Sequence, residues 1–386
     1  MIVHNEYGKR SGEEAVADRM EQIFRTLGCE VAQMRMSTAG VRDSLAGKIR
    51  TFVSGVYCPS GVRAMRDAVV RFRPDVVNVH NLYPFISPAA LRECKRAGAK
   101  VVMTVHNYRL LCPTGLFMRD GAPCELCLQR GDEWACVRNN CEGSWPKSVA
   151  YAARNAVARI RRHYLDCVDK FACITEFQRR KLIEGGIPAE RTTLIPNAVD
   201  IGESRMTDVP DGGYVGYVGR LSREKGIDLI LEAARRNPEV PFRLAGSVAD
   251  RDITAELLPP NVQLEGFLSG DALDRFYEEA RFMVMASRWY EGFPMSILEA
   301  GAHGRCVVGP AHGGFVEVIS QGEPEARIGE LFTPGDAESL GDAVRRLWND
   351  RMLCTELGRR ARTTVEGRYS VEAVTGMWGK ILEQSK

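Results

Sequence analysis

The chain has 386 residues, of which 45% are hydrophobic and 26% are charged, and its formal net charge is +2. This composition is typical of a soluble globular protein, and the length predicts two domains, because single hydrophobic cores stop growing at about 250–300 residues. The near-neutral charge counts against a nucleic-acid partner. The sequence lacks both a run of roughly 18 apolar residues that could span a membrane and the pattern of a signal peptide. We therefore expect a cytoplasmic protein, with the inner face of the membrane as a second candidate location.

Short apolar runs alternate with longer amphipathic stretches along the whole chain. In the first half the runs lie at 2–4, 29–34, 75–80, 100–106, 169–175 and 192–197. In the second half they lie at 214–219, 241–246, 262–267, 281–286 and 305–309. Such runs, bounded by turns and separated by helical patterns, predict parallel sheets in a doubly wound α/β fold.

The boundary between the two predicted domains lies at residues 198–213, a polar segment that ends in Gly-Gly. We interpret it as a linker between Rossmann-like domains at 1–197 and 214–368. Residues 369–386 form a last helix that could pack back toward the first domain. Ligands of open α/β sheets bind outside the carboxyl ends of the strands, so the site is expected at those ends.

The loop that follows the run 214–219 carries Arg220 and Lys225 immediately before a helical pattern. Two cations at the end of a strand, beside a helix N-terminus, suit a diphosphate. The alternative is a surface loop with two solvated cations.

The segment 289–304, WYEGFPMSILEAGAHG, holds two glutamates eight residues apart. Pro294 suits the first position of a helix whose open end, with the backbone N–H groups of Met295, Ser296 and Ile297, would attract an anion. Gly292, which precedes Phe293, would let the backbone approach a phosphate closely.

The two glutamates of this segment have different predicted roles. Glu291 lies in the loop, whereas Glu299 lies about a turn and a half into the helix, where it could accept hydrogen bonds from a ribose. A matched acid–base pair of a glycosidase is the alternative for both, and the helix start between them argues against it. An ordinary solvated helix residue is the alternative for Glu299.

Three features together resemble family 4 glycosyltransferases: the loop from Arg220 to Lys225, the two glutamates around Gly-Phe-Pro, and the later turn Gly313-Gly314 followed by Glu317. The resemblance extends over nearly the whole chain. It implies the GT-B fold, in which two Rossmann-like domains face each other across a cleft. It also implies a retaining, hexosyltransferase-like enzyme of polysaccharide biosynthesis that requires no cofactor.

The resemblance assigns roles to individual residues. Arg220 and Lys225 would hold the donor diphosphate, Glu299 the ribose and Glu291 the donor sugar. The complete implied donor site consists of Gly12, Arg220, Lys225, Gly266, Phe267, Glu291, Gly292, Phe293, Pro294, Met295, Ser296 and Glu299. Gly266 and Phe267 would line the pocket of the base, for which uridine and guanosine both stay open.

Two His-Asn pairs of the first domain, His80-Asn81 and His106-Asn107, each end an apolar run. Both pairs are therefore expected at the ligand-binding edge of the sheet. The resemblance places His106 against the donor sugar, and the catalytic residues that it implies are His106, Glu291, Arg220 and Lys225. His80, Asn81 and Asn107 are expected on the acceptor side, although a lone histidine is more often structural.

Five cysteines crowd into a predicted insertion at 109–144, which resembles an insertion in a polysaccharide-assembly branch of the family. Cys112, Cys124, Cys127 and Cys141 are compatible with structural zinc, with Cys136 as a substitute ligand. The alternative is a set of free or buried thiols, because zinc sites usually show two tight pairs and this segment has one.

A basic amphipathic helix is predicted at 146–165, with Val149 and Ile160 on the apolar face and Arg154 and Arg161 opposite. Such a helix can contact an anionic membrane surface as a peripheral partner or bind a lipid-linked acceptor. The alternative is a core helix with a solvated face.

The expected partners are a nucleotide-sugar donor and a glycan or lipid-linked glycan acceptor. Two other readings stay open, a sugar-nucleotide epimerase of the same fold and a zinc-stapled nucleic-acid-binding protein.

Overall fold

A computed structural model describes residues 1–6, 12–37, 54–201, 206–249 and 258–383. The chain divides into two compact units. Unit 1 comprises Met1–Phe117, Glu125–Ala198 and Val374–Lys386, and unit 2 comprises Met118–Cys124 and Val199–Ala373.

Unit 1 is built on a parallel sheet. Its strands are β1 (Ile2–Glu6), β2 (Gln33–Ser37), β3 (Val76–Val79), β4 (Lys100–Val105), β7 (Lys170–Cys173) and β8 (Thr192–Leu194). They lie in the order β2-β1-β3-β4-β7-β8. The helices of this part of the chain are Gly12–Thr26, Pro59–Phe72, Leu91–Arg96, Leu126–Arg130, Trp134–Arg138, Trp145–Ile160, His163–Cys167 and Glu176–Glu184. All residues of β4 after Lys100 are buried, as expected for a strand covered on both faces.

Unit 2 contains a second parallel sheet. Its strands are β9 (Tyr214–Val218), β10 (Phe242–Ala245), β11 (Val262–Gly266), β12 (Ala280–Val284), β13 (Val307–Pro310) and β14 (Gly329–Phe332). Its helices are Ile227–Arg236, Asp271–Glu279, Met295–Ala302, Gly313–Ser320, Ala337–Asn349 and Arg351–Arg368. The final helix, Val371–Glu383, belongs to unit 1 from Val374 onward. A two-stranded antiparallel pair, β5 (Met118–Arg119) and β6 (Ala122–Pro123), also belongs to this unit.

The strand order of unit 2 locates its ligand-binding edge. The order β11-β10-β9-β12-β13-β14 corresponds to 3-2-1-4-5-6 within the unit, the doubly wound order of dinucleotide-binding folds. The strand order reverses between β9 and β12, which are parallel, hydrogen-bonded neighbours. The loops after these two strands therefore flank the topological switch point, where ligands of such sheets bind. The predicted fold, two α/β domains with parallel sheets, is confirmed.

Two strand predictions differ from the structure. The run at 29–34 was expected to be a strand, but β2 begins only at Gln33, because residues 29–32 return the chain from the helix end, where Gly28 has a φ of +77°. The strand β14 was missed, since its sequence GELF is short and begins with glycine. A Cβ atom on Gly329 would lie 2.1 Å from the carbonyl oxygen of Val307, so only glycine lets β14 lie this close to β13.

The segment predicted as a linker packs on unit 2 where the structure describes it. Val199 donates its N–H to the carbonyl of Tyr369 at 2.9 Å, and Val209 is buried. The buried guanidinium of Arg305 donates to the carbonyl of Thr207 at 2.8 Å. The last helix, Val371–Glu383, contributes Trp378 to unit 1, where its ring lies 5.3 Å from that of Phe24.

Candidate functional site

The loop after β9 is held in place by a glycine. Gly226 has a φ of +72°, and a Cβ atom there would lie 1.9 Å from the carbonyl oxygen of Ala286. Only glycine therefore lets the single turn Arg223–Lys225 approach the end of β12 this closely. The helix Ile227–Arg236 starts directly after it, and its apolar face is buried in the core of unit 2.

Lys225 and Glu291 form an ion pair at the switch point. Lys225 Nζ donates to Glu291 Oε1 at 2.6 Å, and the hydroxyl of Ser287 donates to the same oxygen. Glu291 is only 7% exposed. The ammonium group of Lys225 also lies 5.3 Å from the ring centre of Trp289, within the range of a cation–π contact. The structure thus brings together two of the residues that the sequence singled out, 66 positions apart.

Arg220 has a different partner. Its guanidinium donates to Glu224, and its side chain is more than half exposed. Tyr217 donates its hydroxyl to the carbonyl of Arg220 at 2.9 Å, which fixes the backbone at the end of β9. The two predicted diphosphate ligands therefore lie in one loop, but they belong to separate ion pairs.

The helix that holds the second glutamate begins at Met295, one residue later than predicted. Pro294 is the N-cap and has extended backbone angles, so it is not the first helical residue. Ile297 donates its N–H to the carbonyl of Pro294 at 3.1 Å, so this N–H, which the sequence assigned to anion binding, has a backbone partner. Phe293 is buried and packs edge-on against Tyr369. The helix Gly313–Ser320 begins at the predicted Gly313-Gly314 turn.

Glu299 belongs to a network of four side chains. Tyr277 donates its hydroxyl to Glu299 Oε2 at 2.7 Å, and His303 Nδ1 lies 2.9 Å from the Glu299 carbonyl. His303 stacks on Tyr277, and its Nε2 lies 3.4 Å from a carboxylate oxygen of Asp274. Burial raises the pKa of Glu299 above its ordinary value, while the hydrogen bond from Tyr277 acts in the opposite direction. No sequence pattern pointed to Tyr277, which is one of several aromatic residues in its segment.

Gly266 is the last residue of β11 and Phe267 follows it, at the same edge of the sheet as the loop after β9. Gly266 has a φ of +72°, and its carbonyl accepts a hydrogen bond from Gly246 at 2.7 Å. The ring of Phe267 is 79% exposed. An exposed aromatic ring can stack on a base, and the predicted role of both residues in a base pocket stays a prediction.

In unit 1 the predicted His-Asn pairs lie side by side. His80 Nδ1 is 2.7 Å from His106 Nε2, and the two rings stack at 5.0 Å between their centres. Both histidines line a small cavity of about 20 Å³ with Asn107, Arg109 and others. Unit 1 therefore places His106 at a small polar opening.

Asn81 is bonded within the fold, whereas Gly12 lies beside residues that the structure does not describe. Asn81 donates its side-chain N–H groups to the carbonyls of Asn5 and Tyr83 at 2.8 and 3.0 Å, so it ties the ends of β1 and β3 together. This is a structural use of a residue predicted to face the acceptor. Gly12 begins the helix Gly12–Thr26, whereas the preceding Ser11 lies outside the described residues.

The cysteine-rich segment does not form a metal-ligand geometry. Among the residues that the structure describes, no group of three or more His, Cys, Asp and Glu side chains is arranged to hold a metal ion. A hydrogen bond with the thiol of Cys141, together with burial, raises the pKa of Cys136, so Cys136 favours the thiol form. The zinc prediction for Cys112, Cys124, Cys127 and Cys141 gains no support from this arrangement. Elemental analysis tests it, since about one zinc ion per chain would establish the site.

The predicted basic helix at 146–165 is interrupted. The helix Trp145–Ile160 ends before Arg162, which has a left-handed φ of +51°, and a short helix then starts at His163. Arg154 was expected on the solvated face but is buried, where it donates to the carbonyl of Pro113 at 2.7 Å. Its guanidinium also lies 4.3 Å from the ring centres of Tyr83 and Tyr151.

Three large apolar residues of this helix point outward instead. Trp145 is 55% exposed, Val149 46% and Ile160 69%. Lys147, Arg161 and Arg162 are exposed beside them. Within the described ranges, no helix is both long enough and apolar enough to cross a membrane.

Two family models match the chain. The model of the glycosyl transferase 4-like domain matches residues 11–198, and the model of glycosyl transferases group 1 matches residues 207–364. Together they cover most of the sequence, including the candidate residues of both units.

Curated relatives match over part of their length. A sulfoquinovosyl transferase of Arabidopsis thaliana is 31% identical over 168 residues, which is 43% of this chain and 32% of that protein. A poly(ribitol-phosphate) alpha-N-acetylglucosaminyltransferase of Staphylococcus aureus is 25% identical over 61% of this chain and 46% of its own length. The chain thus spans less than half the length of these two relatives.

A solved structure matches over the whole chain. The Anabaena protein HepE in complex with UDP-glucose aligns with a TM-score of 0.68 and 18% identity, and the alignment covers 100% of both chains. At this identity the match concerns the fold, which is the GT-B fold.

Proposed function

Because the chain is a group 1 glycosyltransferase with a glycosyltransferase 4-like N-terminal domain, we propose that it moves a sugar from a nucleoside diphosphate sugar to a hydroxyl group. The acceptor is a glycan or a lipid-linked glycan, and the anomeric configuration of the sugar is retained. The observation that carries this proposal is the pair of Lys225 and Glu291 at the switch point of unit 2. An open α/β sheet binds a nucleotide at this point, and a lysine there meets the diphosphate.

The candidate residues of unit 2 bind different parts of the donor. Lys225 and the exposed Arg220 bind the diphosphate and stabilise the negative charge that develops on it as the bond to the sugar breaks. Glu299, whose Oε2 is fixed by Tyr277, accepts hydrogen bonds from the ribose. Glu291 accepts hydrogen bonds from the donor sugar and, before the donor binds, keeps Lys225 in place.

The candidate residues of unit 1 contact the donor sugar and the acceptor. In the reaction the bond between the anomeric carbon and the diphosphate oxygen breaks, and a bond from the same carbon to the acceptor oxygen forms. The acceptor proton passes to an oxygen of the departing diphosphate, so the protein needs no carboxylate base for this step. His106 contacts the reacting sugar, and Asn107 and Arg109 beside it face the acceptor.

The relatives suggest the first donor and acceptor to test. The HepE structure contains UDP-glucose, which makes UDP the first nucleotide to try. The Staphylococcus relative is by its name an N-acetylglucosaminyltransferase acting on poly(ribitol phosphate). A phosphate-containing polymer is therefore a reasonable first acceptor class.

A thermal-shift series with UDP, GDP, ADP, CDP and dTDP tests the donor site. A ligand at about 100 times its Kd stabilises a fold by about 2.7 kcal/mol, so one nucleotide should give a clear shift that Lys225→Ala and Glu299→Ala reduce. The absence of a shift with every nucleotide would reject the proposal. Proton NMR of the product then tests retention, since an inverted anomeric signal would exclude it.

The same proposal includes peripheral contact with an anionic membrane through the surface of Trp145, Val149 and Ile160. An apolar stripe flanked by lysine and arginine is the pattern of a helix that lies in the headgroup region of a bilayer. A lipid-linked acceptor would be presented at the same surface, which gives this contact a role in the reaction.

A further inference from the structure

A chain of hydrogen bonds in unit 1 ends on His106. Asn78, in β3, donates its amide N–H groups to the carbonyl of Val102 at 3.2 Å and to the hydroxyl of Thr104 at 3.0 Å. Asn78 Oδ1 lies 2.6 Å from His80 Nε2. His80 Nδ1 in turn lies 2.7 Å from His106 Nε2. Asn78, His80 and Thr104 are all buried.

The direction of this chain follows from groups that can act in only one way. The carbonyl oxygen of Val102 can only accept, so the amide nitrogen of Asn78 must face it. A flipped amide would set Oδ1 against that carbonyl. Asn78 Oδ1 therefore faces His80, and since this oxygen can only accept, His80 Nε2 carries a hydrogen.

The charge state of His80 decides the next bond. Its ring is 4% exposed, and burial lowers the pKa of His80 well below its ordinary value, with His106, His4 and Arg35 acting in the same direction. The carboxylate of Glu14 lies 3.9 Å from Nε2 of the neighbouring His4. A neutral His80 whose Nε2 carries the hydrogen has a lone pair on Nδ1, so His106 Nε2 must donate to it.

We propose that Asn78 and His80 are positioning residues that hold His106 in the tautomer with a hydrogen on Nε2, so that His106 meets its ligand with Nδ1 as a hydrogen-bond acceptor. The ligand group is then a donor, namely a hydroxyl. The role of that hydroxyl as part of a sugar rests on the proposed function, whereas the tautomer does not. Asn78 thus influences the reaction through His80 and His106, although it lies behind both histidines.

Nitrogen-15 NMR of the wild-type protein tests the tautomers directly. The chain has six histidines, and long-range proton–nitrogen correlations distinguish the two ring nitrogens of each. We expect His80 and His106 both to carry the hydrogen on Nε2, and His80 to stay neutral at pH values where free histidine is charged. A hydrogen on His106 Nδ1 in the free protein, or a His80 that titrates near 6.5, would overturn the inference.

The variant Asn78→Asp gives a sharper test because it should invert the tautomer. A carboxylate beside His80 Nε2 stabilises the charged imidazolium, which then donates from Nδ1 to His106. His106 Nε2 becomes the acceptor, and the His106 hydrogen moves to Nδ1. A merely structural role of Asn78 predicts no such change in the spectrum of His106.

Kinetics show whether the tautomer matters. Asn78→Asp and Asn78→Ala should lower kcat/KM about 10- to 100-fold, by analogy with the range for partners that orient metal-binding histidines. Thr104→Val, which keeps the bond from Asn78 to Val102, should have a much smaller effect. Equal losses in Asn78→Ala and Thr104→Val, with unchanged tautomers, would contradict the positioning role.

Failure of this inference and failure of the proposed function are distinguishable. Nucleotide binding by unit 2 should be unchanged in all three variants. If no nucleotide binds to the wild type, the proposed function fails while the NMR result stands. If nucleotides bind and transfer proceeds but His106 carries its hydrogen on Nδ1, the inference alone fails.

Discussion

Lys225 and Glu291 hold each other 2.6 Å apart across the switch point of the second sheet, and the carboxylate is nearly inaccessible to solvent. Ser287 adds a second hydrogen bond to the same oxygen. If a diphosphate binds Lys225, it competes with this carboxylate. The pair should therefore contribute to stability in the free protein and oppose donor binding at the same time.

Removal of the negative charge of Glu291 should therefore affect nucleotide binding and sugar transfer differently. Glu291→Gln relieves the repulsion between the carboxylate and a diphosphate, so the Kd for the nucleotide should fall or stay equal while kcat falls. Lys225→Met should weaken nucleotide binding about tenfold or more, because a charge-assisted hydrogen bond is lost. Isothermal titration with the nucleotide, combined with steady-state kinetics, measures both effects. Weaker nucleotide binding by Glu291→Gln would contradict this relationship.

The same pair makes a prediction about stability. Lys225→Met leaves the buried carboxylate of Glu291 without its cation, which should cost about 1–3 kcal/mol of unfolding free energy. The double variant Lys225→Met/Glu291→Gln should recover most of this loss, because no unpaired charge remains. Urea unfolding of the four proteins gives the interaction energy as a double-mutant cycle. Additive losses in the double variant would show that the two side chains do not interact in solution.

Glu299 should make the stability of the folded protein depend on pH. Its pKa in the folded protein is raised by burial from the ordinary value of 4.5, so its contribution to stability is complete below 4.5 and is lost as the pH rises through the folded-state value. Glu299→Gln does not titrate. It should therefore match the wild type in Tm near pH 4 and exceed it at pH 8, while its nucleotide affinity is lower.

Two controls accompany this pH series. Tyr277→Phe removes the hydrogen bond that favours the charged carboxylate, so the loss of stability should extend to higher pH than in the wild type. Glu325→Gln removes one exposed carboxylate and should leave the shape of the curve unchanged. Parallel Tm curves for the wild type and Glu299→Gln between pH 4 and 8 would mean that Glu299 keeps an ordinary pKa.

Gly226 should tolerate no side chain. Alanine there would place its Cβ 1.9 Å from the carbonyl of Ala286 and would occupy a left-handed φ of +72°. Gly28 is a matched control, since it has a φ of +77° and open space around the added atom. We expect Gly28→Ala to cost about 1–2 kcal/mol for the left-handed backbone alone. Gly226→Ala should cost at least about 1–3 kcal/mol more for the displaced loop, and it should weaken nucleotide binding. Equal losses of stability for Gly226→Ala and Gly28→Ala in thermal unfolding would show that the loop shifts to accommodate the added atom at no further cost.

The sequence predicted the fold well because the strands of both sheets are short buried runs between clear turns. It also placed Lys225 and Glu291 at the carboxyl ends of strands. That the two touch could not be derived, since their contact depends on β9 and β12 being neighbours, and strand order is not local information. Tyr277 and Asn78 were missed for a related reason. Tyr277 donates to Glu299, which is distant in the sequence. Asn78 bonds to His80 nearby and reaches the distant His106 only through it. Neither Tyr277 nor Asn78 belongs to a motif.

The helix Trp145–Ile160 shows where periodicity is insufficient. Its alanines lie on several sides, so the hydrophobic pattern did not fix which face packs inward. The buried face includes Arg154, whose charge is satisfied by a carbonyl and two tyrosine rings, whereas Val149 and Ile160 are exposed. A helical wheel assigns Arg154 to solvent and Val149 to the core, and both of these assignments are wrong, whereas Arg161 is exposed as expected.

These exposed residues lead to a prediction about membranes. The protein should co-sediment with vesicles that contain anionic phospholipid and less with neutral ones, and added salt should weaken the binding, because Lys147, Arg161 and Arg162 flank the apolar stripe. Trp145→Ser/Ile160→Ser removes two side chains whose full burial would contribute about 1.5–3 kcal/mol each, so binding should fall about tenfold or more. Met352→Ser is the matched control, because Met352 is 79% exposed on a helix of unit 2. If Met352→Ser lowers vesicle binding as much as the double variant does, the contact is a general effect of exposed apolar residues and the surface around Trp145 has no special role.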